Sequence, residues 1–442
     1  MPVGMLAAMS TPPVRSSSQA TAVTRDRGDA CPGTLRLHAA DDGALARVRV
    51  PGGVLTVRQA EALAEAARRL GDGDLHLTSR GNVQLRGLAD GCGGALAEAL
   101  DAAGLLPSPA HERVRNIVAS PLSGLDGRGL RDVRPWLSGL DAALCASEAA
   151  RELSGRFLFA LDDGRGDVAG LDADVTLRAE ADGGARLSLG TAAEALSVSG
   201  EDAPRAALTA AETFLAAARE SGSRVWRVTE LPLPDGLFPL VRDRLAATGI
   251  EAVSRPRTAR GPAPAEGPPP GAVGEALSVH APLGRLTAPQ WRELTALAST
   301  TARRELRLTP WRGVVVPVPG LGEERAADAL ARLSGAGLVT DPASPWLRVG
   351  ACIGRPGCAK SLADVRADAT AHLDAARHGG GLPLYWSGCE RRCGHPRGER
   401  VDVVAVPDGG YRLSRAVPGH DPRTAPLEDA SRLATALEEI TS

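Results

Sequence analysis

The sequence predicts an α/β chain written twice, each half a small β-α-β unit followed by a larger mixed α/β unit. Three observations carry this. The first half has VPGGVLTVRQAEAL and then LHLTSRGNVQL; the second has APLGRLTAPQWREL and then LRLTPWRGVVV. Both openings hold a capping box, Thr56-x-x-Gln59 and Thr287-x-x-Gln290. In such a box the threonine hydroxyl accepts from the N3 amide while the glutamine reaches back to the N-cap. Both halves also contain an Asp-Gly-Gly hairpin turn, in ADGGARLS (181–188) and PDGGYRLS (407–414).

Taken in order, each box opens a helix, and a β-like segment follows that is broken at Thr78-Ser79-Arg80-Gly81 or Thr309-Pro310-Trp311-Arg312-Gly313. A second helix ends at Gly104 and at Gly337, where glycine suits the C′ position. VRNIVAS (114–120) then lines up with LRVGACI (347–353), and where the second half offers Ala351-Cys352 the first offers Ala119-Ser120. A last amphipathic helix is expected near 204–219 and again near 427–440. Residues 255–275, RPRTARGPAPAEGPPPGAVGE, read as a proline-rich linker. Residues 1–28, rich in Ser, Thr, Pro and Ala without periodicity, are expected to be disordered. The units between them are 30–108, 109–254, 276–342 and 343–442.

A chain of 442 residues exceeds one ordinary core. Its 43% hydrophobic and 24% charged content is that of a soluble globular protein, and a net charge of -2 gives no electrostatic reason to expect nucleic acid or a membrane surface. Lys360 is the sole lysine, so an arginine needs a special position before it counts as functional. No apolar run approaches the ~18 residues of a membrane span, and MLAAM lacks a basic segment before it, so a cytoplasmic location is expected. That location suits thiols kept reduced.

Four of the seven cysteines occur as Cys352-x5-Cys358 and Cys389-x3-Cys393. Two thiol pairs on separate loops can close a tetrahedral thiolate site. Structural zinc prefers gaps of two to four residues, and the five-residue gap lies outside that range. An iron–sulfur cluster is therefore preferred to zinc, disulfides or unligated thiols. Cys31, Cys92 and Cys145 show no ligand spacing and read as small apolar filler or exposed thiols.

The cysteine quartet resembles that of the nitrite and sulfite reductases, which bind a [4Fe-4S] cluster beside a tetrapyrrole. The ending Cys389-Glu-Arg-Arg-Cys393-Gly-His395-Pro396 is similar to one branch, the precorrin-3B synthases, and RGDACPGTLRLH around Cys31 is similar to the opening of that branch. The resemblance implies a duplicated ferredoxin-like half-domain plus reductase-type domain, arranged about a pseudo-two-fold axis with one active site at the interface. The cluster would sit on Cys352, Cys358, Cys389 and Cys393 in one half only. The activity implied is O2-dependent hydroxylation of precorrin-3A at C20 with γ-lactone formation, in aerobic cobalamin biosynthesis. An additional mononuclear non-haem iron is implied too, although no 2-His-1-carboxylate set can be picked from the sequence. No strand–GxGxxG–helix fingerprint is present, so electrons are expected from an external NADH-linked reductase or ferredoxin. A monomer is expected. The alternatives are a siroheme-dependent assimilatory sulfite or nitrite reductase and a non-catalytic tetrapyrrole carrier.

A polycarboxylate macrocycle calls for bidentate cationic donors. If Gly81 turns the chain, Arg80 and Asn82 stand at a strand end, with Gln84 and Arg86 alternating on one face; the alternative is a solvated hairpin. Arg115 and Asn116 sit between apolar residues in a predicted strand, where a structural salt bridge is the competing reading. Arg312, read as the repeat counterpart of Arg80, and Arg36 are lesser candidates. Sulfite reductases place a Lys-x-Lys pair at the stretch matching Arg156-Phe157-Leu158; here Arg156 keeps one charge and Leu158 replaces the other, which favours the synthase branch. His395 could hydrogen-bond a cluster sulfur, ligate a separate iron or start a turn with Pro396. His38, His76 and His111 are isolated and read as surface or core groups. Glu390-Arg391-Arg392 replaces a smaller triplet common in relatives and is expected to alter cluster solvation.

Overall fold

The computed structural model describes residues 29, 31–222, 224–232, 234–257, 267–396 and 398–442. The segment 1–28 and the middle of the proline-rich stretch, 258–266, lie outside the described residues. The described flanks of that stretch are strands, Ala252–Pro256 and Gly271–Val273.

Both capping boxes form. The Thr56 and Thr287 N–H groups donate to the glutamine Oε1 at 3.0 and 2.9 Å, opening the helices Val57–Leu70 and Ala288–Ser299. The second helices, Gly93–Ala102 and Glu323–Gly335, end with Gly104 at φ 73° and Gly337 at φ 90°, the left-handed residue a helix end favours.

The halves then exchange strands. One five-stranded sheet runs His38–Ala40, Gly43–Val48, Val83–Leu88, Leu75–Leu77 and Arg285–Leu286, its last strand coming from the other half. The second runs Gly271–Val273, Ala276–His280, Gly313–Pro317, Glu305–Leu308 and Val54–Thr56, again with a borrowed edge. Gly53 enters this exchange at φ 71°, where a Cβ would stand 1.9 Å from the Leu308 carbonyl oxygen. The two half-domains therefore share one core, with Leu55, Leu63 and Leu85 packed in the same cluster as Leu294, Leu306 and Val316. Trp291 Nε1 donates across it to Ala60 O at 2.8 Å.

The two larger units also match. Ile117–Ala119, Phe159–Asp162 and Val175–Ala179 are parallel neighbours, continued antiparallel by Ala185–Leu189, Glu194–Val198 and Ala252–Pro256. Val349–Ala351, Leu384–Ser387 and Arg400–Ala405 are parallel likewise, followed by antiparallel Tyr411–Ala416 and Arg423–Leu427. This register places Ser120 opposite Cys352; the string match of 114–120 with 347–353 is one residue out. The two expected helices form as Ala203–Glu220 and Leu433–Thr441. The first is not the last of its unit, since the helix Leu237–Ala247 follows it, and the second starts later than its apolar spacing suggests because Arg423–Leu427 is a strand. Among the described residues no helix is long and apolar enough to cross a membrane.

Candidate active site

The neighbouring parallel strands Val349–Ala351 and Leu384–Ser387 end side by side, and the loops leaving them carry Cys352 and Cys389. The carboxyl ends of parallel strands are where such sheets hold ligands. Cys352 N–H extends the ladder to Trp386 O at 3.0 Å, and its Sγ accepts from the Gly388 N–H at 3.3 Å. Position 388 needs glycine, because a Cβ there would lie 1.7 Å from Ser361 Oγ on the loop that carries Cys358. Cys393 closes a tight turn in which Arg392 N–H donates to Cys389 O at 3.2 Å, and the Tyr385 hydroxyl donates to the Cys393 carbonyl.

Burial pushes the Cys393 thiol up, Arg391 opposes it, and Cys389, Cys352 and Cys358 add to the rise, so the four sulfurs share one neighbourhood. Yet among the described residues no three of them lie within 4.8 Å of one another. A single tetrahedral ion with metal–sulfur bonds of about 2.3 Å needs a tighter set. Four thiolates on loops leaving adjoining strand ends are the donor set of a cubane, whose corners lie further apart than the ligands of one ion. The residues present fit a [4Fe-4S] centre.

The first half's counterpart has taken another course. Ser120 stands for Cys352, and by strand register Asp162 and Asp163 stand for Ser387 and Gly388. Asp162, Asp163 and Asp167 place carboxylate oxygens within 4.8 Å of one another. They are already engaged. Asp163 pairs with Arg165 at 2.7 Å, Asp162 accepts from the Gly164 and Gly166 amides at 2.9 and 2.8 Å, and Ser120 Oγ donates to Asp167 at 2.6 Å. This is the only three-residue His/Cys/Asp/Glu set of ligand spacing among the described residues, so donors for a mononuclear iron are not gathered beside the cysteines.

The first half-domain faces the cluster loops through its polar sheet face. Ala46, Val48, Val83 and Leu85 enter the shared core, while Arg47, Gln84 and Arg86 alternate to the other side. Arg86 forms a two-pronged pair with Asp42, at 2.9 and 2.8 Å, and reaches Gly357 O beside Cys358 at 3.1 Å. Asp41 accepts from the Ala359 N–H on the same loop. Beyond them lies a cavity of about 250 Å³ lined by Cys31, Arg47, Arg49, Arg80, Asn82 and Arg156, among others. None of these four arginines has a carboxylate partner among the described residues. Arg49 is 4% exposed and donates only to Arg113 O (3.2 Å) and Gly155 O (3.3 Å); burial, with Arg47 and Arg80 beside it, pushes it down to about 9. Burial and Arg227 push Arg80 down to about 10, and its contact is Gly155 O at 3.4 Å. Arg49 is buried, Arg47 and Arg80 are partly buried and Arg156 is exposed, and guanidiniums with no carboxylate in ion-pair range call for an anionic ligand.

The predicted residues divide accordingly. Arg80, Asn82 and Arg156 line the cavity, with Arg156 stacked over Trp226 at 4.9 Å. Gln84 turns its amide oxygen to Arg47. Asn82 also braces Asn116 (Nδ2 to Oδ1, 3.0 Å), which donates on to Phe157 O at 2.9 Å. Arg86 and Arg115, expected to meet substrate, hold structural pairs instead. Arg115 grips Asp141 through two bonds of 2.7 Å, as buried guanidiniums do when a carboxylate is in reach. Arg312 is not the counterpart of Arg80. The matched turns Thr78–Asn82 and Thr309–Gly313 put Trp311 there and Arg312, at φ 61°, opposite Gly81. Arg312 reaches Gly394 O at 3.4 Å, beside the cysteine turn. Arg36 and His38 are exposed, His76 and His111 are buried and hydrogen-bonded, and His395 is exposed with Nδ1 3.0 Å from Pro396 O. Cys31, taken as filler or an exposed thiol, is part of the cavity wall. Arg47 and Arg49 are not among the residues predicted above, although the alternation Ala46-Arg47-Val48-Arg49 puts both on one strand face.

Two segments, 38–103 and 271–336, match the nitrite/sulfite reductase ferredoxin-like half domain. A precorrin-3B synthase of Sinorhizobium sp is 30% identical over 405 residues, which cover 89% of this chain and 84% of that protein. The chain belongs to the nitrite/sulfite reductase family. A ferredoxin–nitrite reductase of Synechococcus elongatus, another relative, is 28% identical over 403 residues, 82% of this chain and 76% of its own. The fold of the Mycobacterium tuberculosis NirA protein superposes with a TM-score of 0.71 at 17% identity, over 89% of this chain and 79% of that one. Within this family fold, the reductase-type unit of the first half carries carboxylates where the second carries thiols.

One prediction concerns those carboxylates. Burial, then Asp162, push Asp167 up to about 7 from 3.8. A carboxyl group raised on folding binds its proton more tightly in the folded state, so stability falls as pH rises through that window. Asp167→Asn should flatten the loss of thermal stability between roughly pH 4 and pH 7. An equally steep loss in the variant, followed by melting temperature, would show that Asp167 is not its source.

Proposed function

We propose that the chain is a precorrin-3B synthase, taking up the metal-free polycarboxylate precorrin-3A and adding one oxygen atom from O2 at C20, with closure of a γ-lactone. The observation that carries this is the cavity: Arg47, Arg49, Arg80 and Arg156 converge on it without a carboxylate among them, a setting for a polyanion. Similarity to a precorrin-3B synthase along 89% of the chain supports the choice of polyanion. The second oxygen atom leaves as water, with two electrons from an external donor and two protons. Cys352, Cys358, Cys389 and Cys393 would hold the cluster, which would supply electron relay at this site. Cys393 is the exposed member of the quartet, which supports delivery of electrons from outside the chain.

The second reading is a siroheme-dependent nitrite or sulfite reductase, favoured by the 28% identity to a nitrite reductase. Leu158 weighs against it. Where a second cation would polarise a small oxyanion, Leu158 is 3% exposed and packs with Val118, Ala160, Val168 and Ala173.

Incubating anaerobically purified protein with precorrin-3A and a reductant, then admitting isotopically labelled dioxygen, tests the proposal. A product carrying one labelled oxygen atom is expected. Unchanged precorrin-3A, together with nitrite- or sulfite-dependent oxidation of a reduced dye, would overturn it. Among variants, Arg49→Met and Arg80→Ala should each weaken precorrin-3A binding by about 1.5–3 kcal/mol, roughly ten- to a hundred-fold in Kd, with iron content unchanged. Arg115→Ala should keep its affinity but lose roughly 2–3 kcal/mol in urea unfolding, since it strands Asp141. Parental affinity in both cavity variants would place the substrate elsewhere.

A further inference from the structure

Arg366 occupies the first turn of the helix Val365–Ala371, half-buried, with Nε donating to the Cys352 carbonyl oxygen at 3.2 Å. The charged groups that bear on it are Arg312, Arg285, Arg86 and the Cys352 thiol. Arg86 and Arg285 are neutralised by Asp42 and Asp74. Arg366 and Arg312 are not: among the described residues each has a backbone carbonyl and no carboxylate, Cys352 O for one and Gly394 O for the other. The nearby Asp364 caps its own helix, accepting from Ala367 N–H at 3.1 Å. Two uncompensated guanidiniums thus bracket the quartet, one on the backbone of its first cysteine and one just past its last.

A guanidinium held out of water needs an anion. A cubane on four thiolates is a net anion and gains a further negative charge on reduction. We propose that Arg366, seconded by Arg312, sets the reduction potential of the cluster, favouring the reduced state as a fixed cation held on the ligand backbone. The proposal rests on the cluster reading but not on the synthase reading. A unit charge within about 10 Å of a redox centre, in the effective dielectric of a protein, shifts its reduction equilibrium roughly tenfold. For a one-electron couple that is about 59 mV.

The test is a redox titration of the holoprotein followed by electron paramagnetic resonance, on the parent, Arg366→Met and Arg366→Lys. Arg366→Met should hold a full cluster whose potential is lower by that tenfold factor, and Arg366→Lys should stay near the parent. Arg312→Met should move in the same direction. An unmoved potential in Arg366→Met with full iron would overturn the proposal. So would an equal fall in Arg366→Met and Arg366→Lys, which would assign the effect to the lost hydrogen bond. Loss of iron from both Arg366 variants would make the residue an anchor for the loop and overturn it as well. Iron and sulfide in the parent report on the cluster itself, so the two readings fail separately.

Discussion

The exchange of edge strands between the halves is the constraint on which the site depends. Val54–Thr56 pairs with Glu305–Leu308, and Arg285–Leu286 pairs with Leu75–Leu77, so each half completes the other's sheet. A one-residue slip in either pairing would turn core residues such as Leu55 and Leu286 to the opposite face. The relative position of the halves is therefore fixed by backbone hydrogen bonds and a shared core rather than by a flexible join. That rigidity lets Arg86 and Asp41, from one half, clasp the Cys358 loop of the other at hydrogen-bond distance.

With the frame fixed, the chemistry follows from where charge is compensated. Arg86, Arg115 and Arg165 lie against carboxylates and serve as struts. Arg47, Arg49, Arg80 and Arg156 around the cavity, and Arg366 and Arg312 around the cysteines, lack such partners among the described residues. The same contrast separates the two pseudo-equivalent strand ends. In the first half, Arg165, the Ser120 hydroxyl and backbone amides engage the three aspartates. In the second, four thiols converge, with the Gly388 amide on Cys352 Sγ and the guanidiniums of Arg366 and Arg312 on the neighbouring backbone.

Much of this was legible in the sequence because it rests on local chemistry. The capping boxes, the C′ glycines and the Asp-Gly-Gly turns each report on the few residues around them, and in matching order they expose the duplication. The strand exchange left no such trace, since edge pairing is decided by residues more than 200 positions apart. Arginine roles were the hardest to read. Arg80 and Arg115 are both strand-end arginines in a run that includes an asparagine, Arg80-Gly81-Asn82 and Arg115-Asn116. Their difference comes from Asp141, which lies on a neighbouring helix and claims one of them. The offset between Arg80 and Arg312 arose because the second loop spends its left-handed position on an arginine where the first uses Gly81.

The central proposal is that the arginine-lined cavity receives a tetrapyrrole as substrate and that the cofactor is the cluster alone. The visible spectrum of protein purified without oxygen from cells that make siroheme tests this most directly. The account predicts the broad absorption of an iron–sulfur cluster, with siroheme bands arising neither in the purified protein nor after incubation with siroheme at stoichiometric concentration. Stoichiometric siroheme bands that survive gel filtration would contradict it and make the cavity a cofactor site.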